Sequence, residues 1–279
     1  MVYIITDTTA CFPTDVQQQY NILVVPQIIN FGNESLQEGV DIDIKTFLGR
    51  LQQSKEIPKT SAPPPELFVE IFQNLVPTQK PIICIHPSAE VSGTIRAVSV
   101  AAADFPDADL RIIDTRTVAS PLGVLVTLAA EMAAAGKDAD DICRMIDGMI
   151  PKSRIFFIVE TLDYLVKGGR IGGASALIGT LLQIKPILIF KDGKVDQFDR
   201  ERTHKRAVSR LLQLVLDQIE TEGNGYPSVL HADNYEEAKL LAAEIAEKMG
   251  IAEVPIFDMP PAIVTHVGPK TLAVGFFTA

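Results

Sequence analysis

The chain has 279 residues, 47% of them hydrophobic, which is enough to bury a large core in two compact domains or in one larger domain. Acidic residues outnumber basic residues by 35 to 25, which argues against a nucleic-acid partner, because binding to phosphate backbones depends on clustered lysine and arginine. The three cysteines (Cys11, Cys84 and Cys143) lie far apart, which predicts neither a disulfide framework nor a zinc site and favours a reducing, cytoplasmic location.

The first half of the chain alternates between short apolar strands and amphipathic helices. Val2 to Thr6 predicts the first strand, and because the start shows no basic segment and no cleavage-site pattern, no signal peptide is expected. Further strands are predicted at 22–29, 82–85 and 110–113, and helices at 43–53, 68–75, 91–103, 121–135 and 142–149. This alternation indicates a mainly parallel sheet inside a three-layer α/β/α domain.

The pattern changes after residue 152. Strands are predicted at 155–159, 187–191, 194–200, 228–232, 254–257 and 272–277, and helices at 205–220 and 236–249. Asp192-Gly193 is a strong signal for a two-residue hairpin, so antiparallel pairing enters here. We therefore predict an N-terminal α/β domain at 1–153, followed by an α+β domain with a mixed or antiparallel sheet at 154–279. No uncharged apolar run reaches the roughly 18 residues of a membrane span, so any membrane contact is expected to be transient.

A glycine-rich stretch, 160–190, lies at the start of the second half. Lys167 and Arg170 flank a pair of glycines, and the residues from Gly172 to Leu182 predict a helix with almost no side-chain bulk on one side. The spacing fits neither the dinucleotide glycine pattern nor a P-loop. The stretch is therefore either an apolar helix packed on a sheet or a surface against which a ligand lies.

Hydroxyl side chains follow several of the predicted strands. In an open α/β sheet a ligand binds beyond the carboxyl ends of the strands, where helix N-termini also point their N–H groups. Hydroxyls and N–H groups there suit the two oxygens of an anion, although each hydroxyl alone is equally typical of a helix cap. The segments concerned are Asp7-Thr8-Thr9, Ser88, Ser92-Gly93-Thr94, Asp114-Thr115 and, on the stiff extended link at 59–65, Thr60-Ser61.

Signals for catalysis or metal binding are weaker. Ser92 lacks the G-x-S-x-G frame of a nucleophile elbow. His86, His204 and His231 form no spaced metal cluster. His266 is predicted in a loop between late strands, where a Gly-Pro turn could direct its side chain back across the domain junction. The dense basic segment 200–210 is either a solvated helix start or a docking face for an acidic partner.

Together these segments resemble the DegV family, lipid-binding proteins that serve as the fatty-acid-binding subunit of bacterial fatty acid kinase. The resemblance runs from end to end of the chain. It is carried by ITDTTACFP, KTSAPPP, EVSGTIRAV, IIDTRTVASPLG, LDYLVKGGRIGG, IKPIL, RERTHKRA and THVGPKTLAVGF. The chain departs from the common pattern at Thr8, where serine is usual, at HPSAEV, and at Lys270, where glycine is frequent.

The resemblance implies a non-catalytic carrier with a fatty acid between two domains. It would present the carboxylate of palmitate, stearate or oleate to a separate ATP-dependent kinase and carry the acyl phosphate towards phospholipid synthesis, without a cofactor, a metal or a catalytic residue of its own. The carboxylate site is expected at Thr60, Ser61, Ser92, Gly93, Thr94 and His266, the tunnel lining at Ile171, Gly172, Ala176 and Leu177, and kinase docking at Arg202 and Arg170. The alternatives are a hydrolase or phosphotransferase that uses Asp7, Ser92 and His266, and a lipid sensor without a kinase.

Overall fold

A computed structural model describes residues 2–178, 184–221, 223 and 225–279. The strands are β1 (Tyr3–Asp7), β2 (Leu23–Val25), β3 (Ile28–Phe31), β4 (Glu34–Gln37), β5 (Lys59–Ser61), β6 (Ile82–His86), β7 (Leu110–Asp114), β8 (Ser153–Ile158), β9 (Lys185–Lys191), β10 (Lys194–Glu201), β11 (Ser228–His231), β12 (Ile256–Asp258) and β13 (Leu272–Phe277). The α-helices are α1 (Thr14–Tyr20), α2 (Ile44–Gln53), α3 (Pro65–Leu75), α4 (Thr94–Ala102), α5 (Ala119–Ala134), α6 (Ala139–Met149), α7 (Asp163–Lys167), α8 (His204–Leu216), α9 (Tyr235–Met249) and α10 (Pro261–Val267).

A parallel sheet in the order β2-β1-β6-β7 forms the centre of the first half. Strand β6 is buried along its whole length, as expected for a parallel strand with helices on both faces. Its alternate residues face different cores: Ile83 and Ile85 pack with α5 and α6, while Ile82 and Cys84 pack with α3 and α4. The predicted three-layer arrangement is confirmed.

The second half is built on a six-stranded mixed sheet in the order β10-β9-β8-β13-β11-β12. Its neighbouring strands are antiparallel except for the pair β11 and β12. The predicted hairpin joins β9 to β10, with φ of 53° at Asp192 and 85° at Gly193, the positive values that a type I′ turn requires. Helices α8 and α9 cover one face of this sheet, and the opposite face turns towards the first half of the chain.

A third sheet, in the order β4-β3-β5, was not predicted. Its three strands have only three or four residues each, too few for an alternating pattern to stand out. The aromatic ring of Phe31 packs on that of Phe47 in α2, with the ring centroids 5.8 Å apart. This small sheet fixes the position of Thr60, which pairs with Ile29 in the antiparallel register of β5 with β3.

The glycine-rich stretch differs from the predicted long helix. Residues Gly172–Leu177 form a 3-10 helix, and 179–183 of the predicted segment lie outside the described residues. A Cβ atom on Gly172, whose φ is 52°, would lie 2.1 Å from the carbonyl oxygen of Val195. This glycine therefore lets the helix lie directly on β10, which supports the interpretation of a segment packed on a sheet.

The segment that carries His266 is a helix, where a loop was predicted. Helix α10 starts at Pro261, a position that suits proline, and ends before Gly268 with φ of 82°. No helix among the described residues combines the length and the apolar character that a membrane crossing demands.

Candidate functional site

A mainly apolar cavity lies where the carboxyl ends of the parallel strands meet the open face of the six-stranded sheet. Its volume is about 110 Å³, counted as the space open to the centre of a water molecule, so the enclosed room is larger. Every parallel strand contributes through the loop that follows it, as expected for a site in an open α/β sheet. The lining comprises Thr9, Gln27, Thr60, Pro87, Val91, Ser92, Val118, Ala119, Ile155, Phe157, Leu165, Arg170, Phe190, Val195, Leu230, Met259, Ala262, Ile263, His266, Val267, Thr271 and Ala273.

The apolar wall comes from alternate residues of the mixed sheet. Phe157 on β8 faces the cavity beside its cross-strand neighbour Ala273 on β13, and Leu230 on β11 stands on the other side of Ala273. The intervening residue Phe156 points to the opposite face, under α8 and α9. Strand alternation thus divides two equally apolar sets of side chains between the cavity and the helices.

Thr60 and His266 meet at one end of the cavity. The Oγ1 atom of Thr60 lies 2.8 Å from Nε2 of His266, while the buried Nδ1 of His266 has no hydrogen-bond partner. An unprotonated Nδ1 is the less costly state there, because an unpaired buried N–H loses a donated hydrogen bond. In that tautomer Nε2–H donates to Thr60, so the Thr60 hydroxyl proton is free to donate to a ligand.

Burial keeps His266 neutral. Burial, followed by the positive charge of Arg170, lowers the pKa of His266 to about 4. The imidazole fits into this position because residue 168 is glycine: a Cβ atom there would lie 2.2 Å from Nδ1 of His266. The first glycine of the KGG motif therefore makes room for the imidazole ring.

Ser92 is set up as a second donor. The amide Nε2 of Gln27 donates to Oγ1 of Thr94 at 2.9 Å, and Oγ1 of Thr94 lies 2.9 Å from Oγ of Ser92. One lone pair of the Thr94 hydroxyl accepts from Gln27, and its proton can be donated onward to Ser92, which also accepts a 3.3 Å hydrogen bond from the Thr94 backbone N–H. The Ser92 hydroxyl proton is then free to point into the cavity.

Arg170 adds a positive charge beside these hydroxyls. Its Nε atom donates to the carbonyl oxygen of Val91 at 2.9 Å and its Nη1 atom to that of Gly168 at 2.6 Å. Burial lowers the pKa of Arg170, yet a guanidinium stays charged at neutral pH. The arrangement of two free hydroxyl protons beside a fixed cation is suited to a carboxylate.

A buried carboxylate, Glu38, lies behind the cavity and was not predicted from the sequence. Glu38 is 3% exposed, and it accepts hydrogen bonds from the hydroxyl of Thr8 and, at 2.7 Å, from the backbone N–H of Ala262 at the start of α10. Burial is the main cause that raises the pKa of Glu38 to about 7. The buried carboxylate connects the segment that follows β1 to the helix that carries His266. In the sequence, Glu38 stands in a polar turn segment and carries no signal of burial.

Several predicted site residues lie elsewhere. Ser61 is exposed, because the alternation of β5 turns its side chain away from that of Thr60, and it accepts a hydrogen bond from Asn30. Ser61 is therefore not part of the carboxylate site at which it was expected. Gly93 is the N-cap of α4, and Thr94 is fully buried one step behind Ser92.

The predicted tunnel-lining residues do not line this cavity. Ile171 and Leu177 belong to the apolar cluster around it, while Gly172 and Ala176 are exposed. The short 3-10 helix packs on β10, at the edge of the sheet that supplies the wall, which is the physical reason for the difference. Lys270 does not line this cavity.

The two residues predicted for docking occupy different places. Arg170 lies at the cavity, whereas Arg202 is exposed between β10 and α8. In the same basic segment His204 pairs with Glu237, and Arg210 pairs with Asp199.

The residues of the alternative catalytic site are engaged separately. Asp7 accepts hydrogen bonds from Thr9 and lies 3.1 Å from Nδ1 of His86, whereas His266 contacts Thr60 and Ser92 contacts Thr94. Asp7, Ser92 and His266 therefore form no acid–base–nucleophile chain. In the described part of the chain, no group of three or more His, Cys, Asp or Glu side chains could hold a metal ion.

Comparison with known proteins adds independent information. Residues 1–279 match the model of a family described as "Uncharacterised protein, DegV family". A DegV domain-containing protein of Clostridium acetobutylicum is 37% identical over 281 residues, covering 99% of this chain and 98% of that protein. A fatty acid binding DegV family protein of Streptococcus agalactiae superposes with a TM-score of 0.92 at 28% identity, over 100% of this chain and 99% of that one. A stearic acid-binding protein of Eubacterium ventriosum superposes with a TM-score of 0.88 at 26% identity, over 100% and 98%. The chain belongs to the DegV family.

Proposed function

We propose that this protein binds a long-chain fatty acid, such as palmitate, stearate or oleate, with the hydrocarbon tail in the apolar cavity. The observation that carries this proposal is a cavity with an apolar wall and, at one end, the hydroxyls of Thr60 and Ser92 beside Arg170. The names of the relatives from Streptococcus agalactiae and Eubacterium ventriosum, which bind fatty acids, support it.

The hydrocarbon tail supplies most of the affinity. A chain that buries about 14 methylenes at about 0.8 kcal/mol each contributes on the order of 11 kcal/mol before the ordering costs. The carboxylate must give up its water, and its new hydrogen bonds mainly offset that loss. The polar end of the cavity therefore decides which end of the lipid faces outward.

Lipid extraction tests the proposal directly. Mass spectrometry of an organic extract of the purified protein is expected to identify a long-chain fatty acid. A protein that yields no lipid and also fails to take up added palmitate would contradict the proposed function.

The two hydroxyls are expected to matter individually. Thr60→Val and Ser92→Ala each remove one donor to the carboxylate and should weaken palmitate binding roughly tenfold to a hundredfold, the range for a hydrogen bond to a charged group. Ser61→Ala is the matched control, since Ser61 is the neighbour of Thr60 on the opposite face of β5. Isothermal titration calorimetry would measure all three variants, and an equal loss in Ser61→Ala would argue against the assigned site.

We further propose that the protein acts as a non-catalytic carrier that presents the carboxylate to a separate ATP-dependent fatty acid kinase and carries the acyl phosphate towards phospholipid synthesis. The separation of Asp7, Ser92 and His266 supports a carrier over a catalyst. Turnover of an acyl or phosphoryl substrate by the protein alone, abolished in Ser92→Ala, would count against it.

The exposed Arg202 is the proposed contact for the kinase. Arg202→Ala is expected to weaken capture of the kinase by at least about tenfold, because arginines at the centre of an interface often dominate its affinity. Palmitate binding should stay unchanged, and Arg96→Ala, which removes an exposed arginine from α4, is the control. If pull-down of the kinase is equally strong with both variants, Arg202 is not part of the interface.

We also propose that residues 1–153 and 154–279 act as two domains with the lipid between them, and that the protein works in the cytoplasm. The separate sheets of the two halves support the first point. The free thiols of Cys11, Cys84 and Cys143 support a reducing compartment.

A further inference from the structure

A second cavity opens outward from the polar end of the first. Both cavities are lined by Thr60, Arg170 and His266, so the second is the mouth through which the polar end reaches the surface. Its volume is about 460 Å³ on the same measure. The lining residues are Lys55, Glu56, Ile57, Pro58, Lys59, Thr60, Lys167, Gly168, Arg170 and His266.

The mouth concentrates positive charge in an acidic protein. Its lining holds Lys55, Lys59, Lys167 and Arg170 against the single carboxylate of Glu56, although the whole chain has a net charge of -10. Within the described residues, the ammonium groups of the three lysines form no ion pair with a carboxylate. The lysines come from two separate segments: Lys55 and Lys59 lie just before and at the start of β5, and Lys167 ends α7. Cations gathered without partners repel each other, so an anion in the mouth would be stabilised by all of them.

A bound carboxylate alone leaves these lysines unused. It is served by the hydroxyls of Thr60 and Ser92 and by Arg170, all of which line the inner cavity, and of these only Thr60 and Arg170 also line the mouth. A larger anion that extends from the carboxylate into the mouth would reach the lysines. Lysine binds phosphate oxygens as a mobile point charge on a long stem, which suits a group that is not held in one orientation.

We infer that the mouth formed by Lys55, Lys59 and Lys167 is a binding site for a phosphoryl group attached to the carboxyl end of the lipid. The inference rests on the proposed function and adds a site for the head group of the phosphorylated lipid. An acyl phosphate has the same tail as the fatty acid, so the tail stays in the apolar cavity and only the added phosphoryl group enters the mouth.

The test compares palmitate with hexadecylphosphonate, a stable lipid with a phosphonate head. The triple variant Lys55→Gln/Lys59→Gln/Lys167→Gln is expected to weaken phosphonate binding by about tenfold to a hundredfold, the combined effect of three partly exposed ion pairs. Palmitate binding should change by less than about threefold, since its carboxylate is held further in. The phosphonate affinity of the wild-type protein should also fall more steeply with salt.

A charge-matched variant provides the control. Lys137→Gln/Lys152→Gln/Lys239→Gln removes three exposed lysines that line neither cavity, and it should leave both affinities unchanged. Equal weakening of both lipids in the mouth variant, or no weakening of either, would overturn the inference. The same holds if the control variant reproduces the phosphonate effect.

Inorganic phosphate distinguishes the source of the phosphoryl group. The affinity of palmitate-loaded protein for inorganic phosphate is compared with the affinity of lipid-free protein for hexadecylphosphonate. If the two affinities are equal and both depend on the same lysines, the site serves a free anion and the assignment to a lipid is overturned. Weak or undetectable phosphate binding supports the assignment. A wild-type protein that binds neither lipid would instead refute the proposed function.

Discussion

Replacing Ala273 with phenylalanine is expected to weaken palmitate binding by at least about a hundredfold. Ala273 is 2% exposed and lies between Phe157 and Leu230 on the wall of the cavity. The added ring would fill the space of about four methylenes, each of which contributes about 0.8 kcal/mol to lipid binding. Titration with acids of decreasing chain length should show that affinity recovers for short acids, because these leave room for the ring.

The neighbouring strand position supplies the control. Val274 follows Ala273 but points under α8 and α9, so Val274→Ile adds bulk to the same strand without entering the cavity. Its palmitate affinity should match that of the wild-type protein. A loss of binding in Ala273→Phe that does not depend on chain length, or that appears only together with loss of the folded circular dichroism spectrum, would contradict the assignment of this cavity to the tail.

Replacing Glu38 with glutamine is expected to change how stability depends on pH. Burial, supported by the charge of Asp7, raises the pKa of Glu38 from its usual 4.5 to about 7, against the opposing effect of hydrogen bonds from Thr8 and Ala262. The folded protein therefore binds this proton more tightly than the unfolded chain does. The free energy of unfolding should fall by about 3 kcal/mol as the pH rises from about 4.5 to about 7, and Glu38 should contribute no further change above that range.

Glu38→Gln should lack this fall, because an amide does not ionise. Its carbonyl oxygen can accept from the N–H of Ala262, and its amide can donate to Thr8, so both contacts of the carboxylate are retained. Urea denaturation at a series of pH values would compare it with Glu34→Gln, which changes an exposed glutamate on β4. If the free energy of unfolding changes with pH in the same way for the wild-type protein and for Glu38→Gln, the raised pKa of the buried Glu38 is contradicted.

The pattern of residues predicted most of the framework. The apolar run at 82–85 predicts a strand covered on both faces, and β6 is such a strand. Asp192-Gly193 predicts the turn between β9 and β10, because these residues tolerate positive φ. Local chemistry was sufficient for these features, since each depends on neighbours in the chain.

The walls of the cavity could not be predicted in the same way. Phe156 and Phe157 are adjacent and equally apolar, and only the packing of distant segments decides that Phe157 faces the cavity. His266 was predicted in a loop because Gly268 and Pro269 mark a turn, whereas the preceding proline pair starts a helix. The small residues after Gly172 are compatible with both a long helix and a short one, so burial on β10 had to decide between them.

The cavity takes its lining from both halves of the chain, with Ser92 and Thr60 on one side and Phe157 and Ala273 on the other. A guest held there touches both halves at once and acts as a removable cross-link between them. By mass action, cargo that binds only the folded chain raises the melting temperature as its concentration rises above Kd. The resistance of this protein to proteolysis would then increase with the supply of lipid, because lipid-free molecules would be degraded before lipid-bound ones.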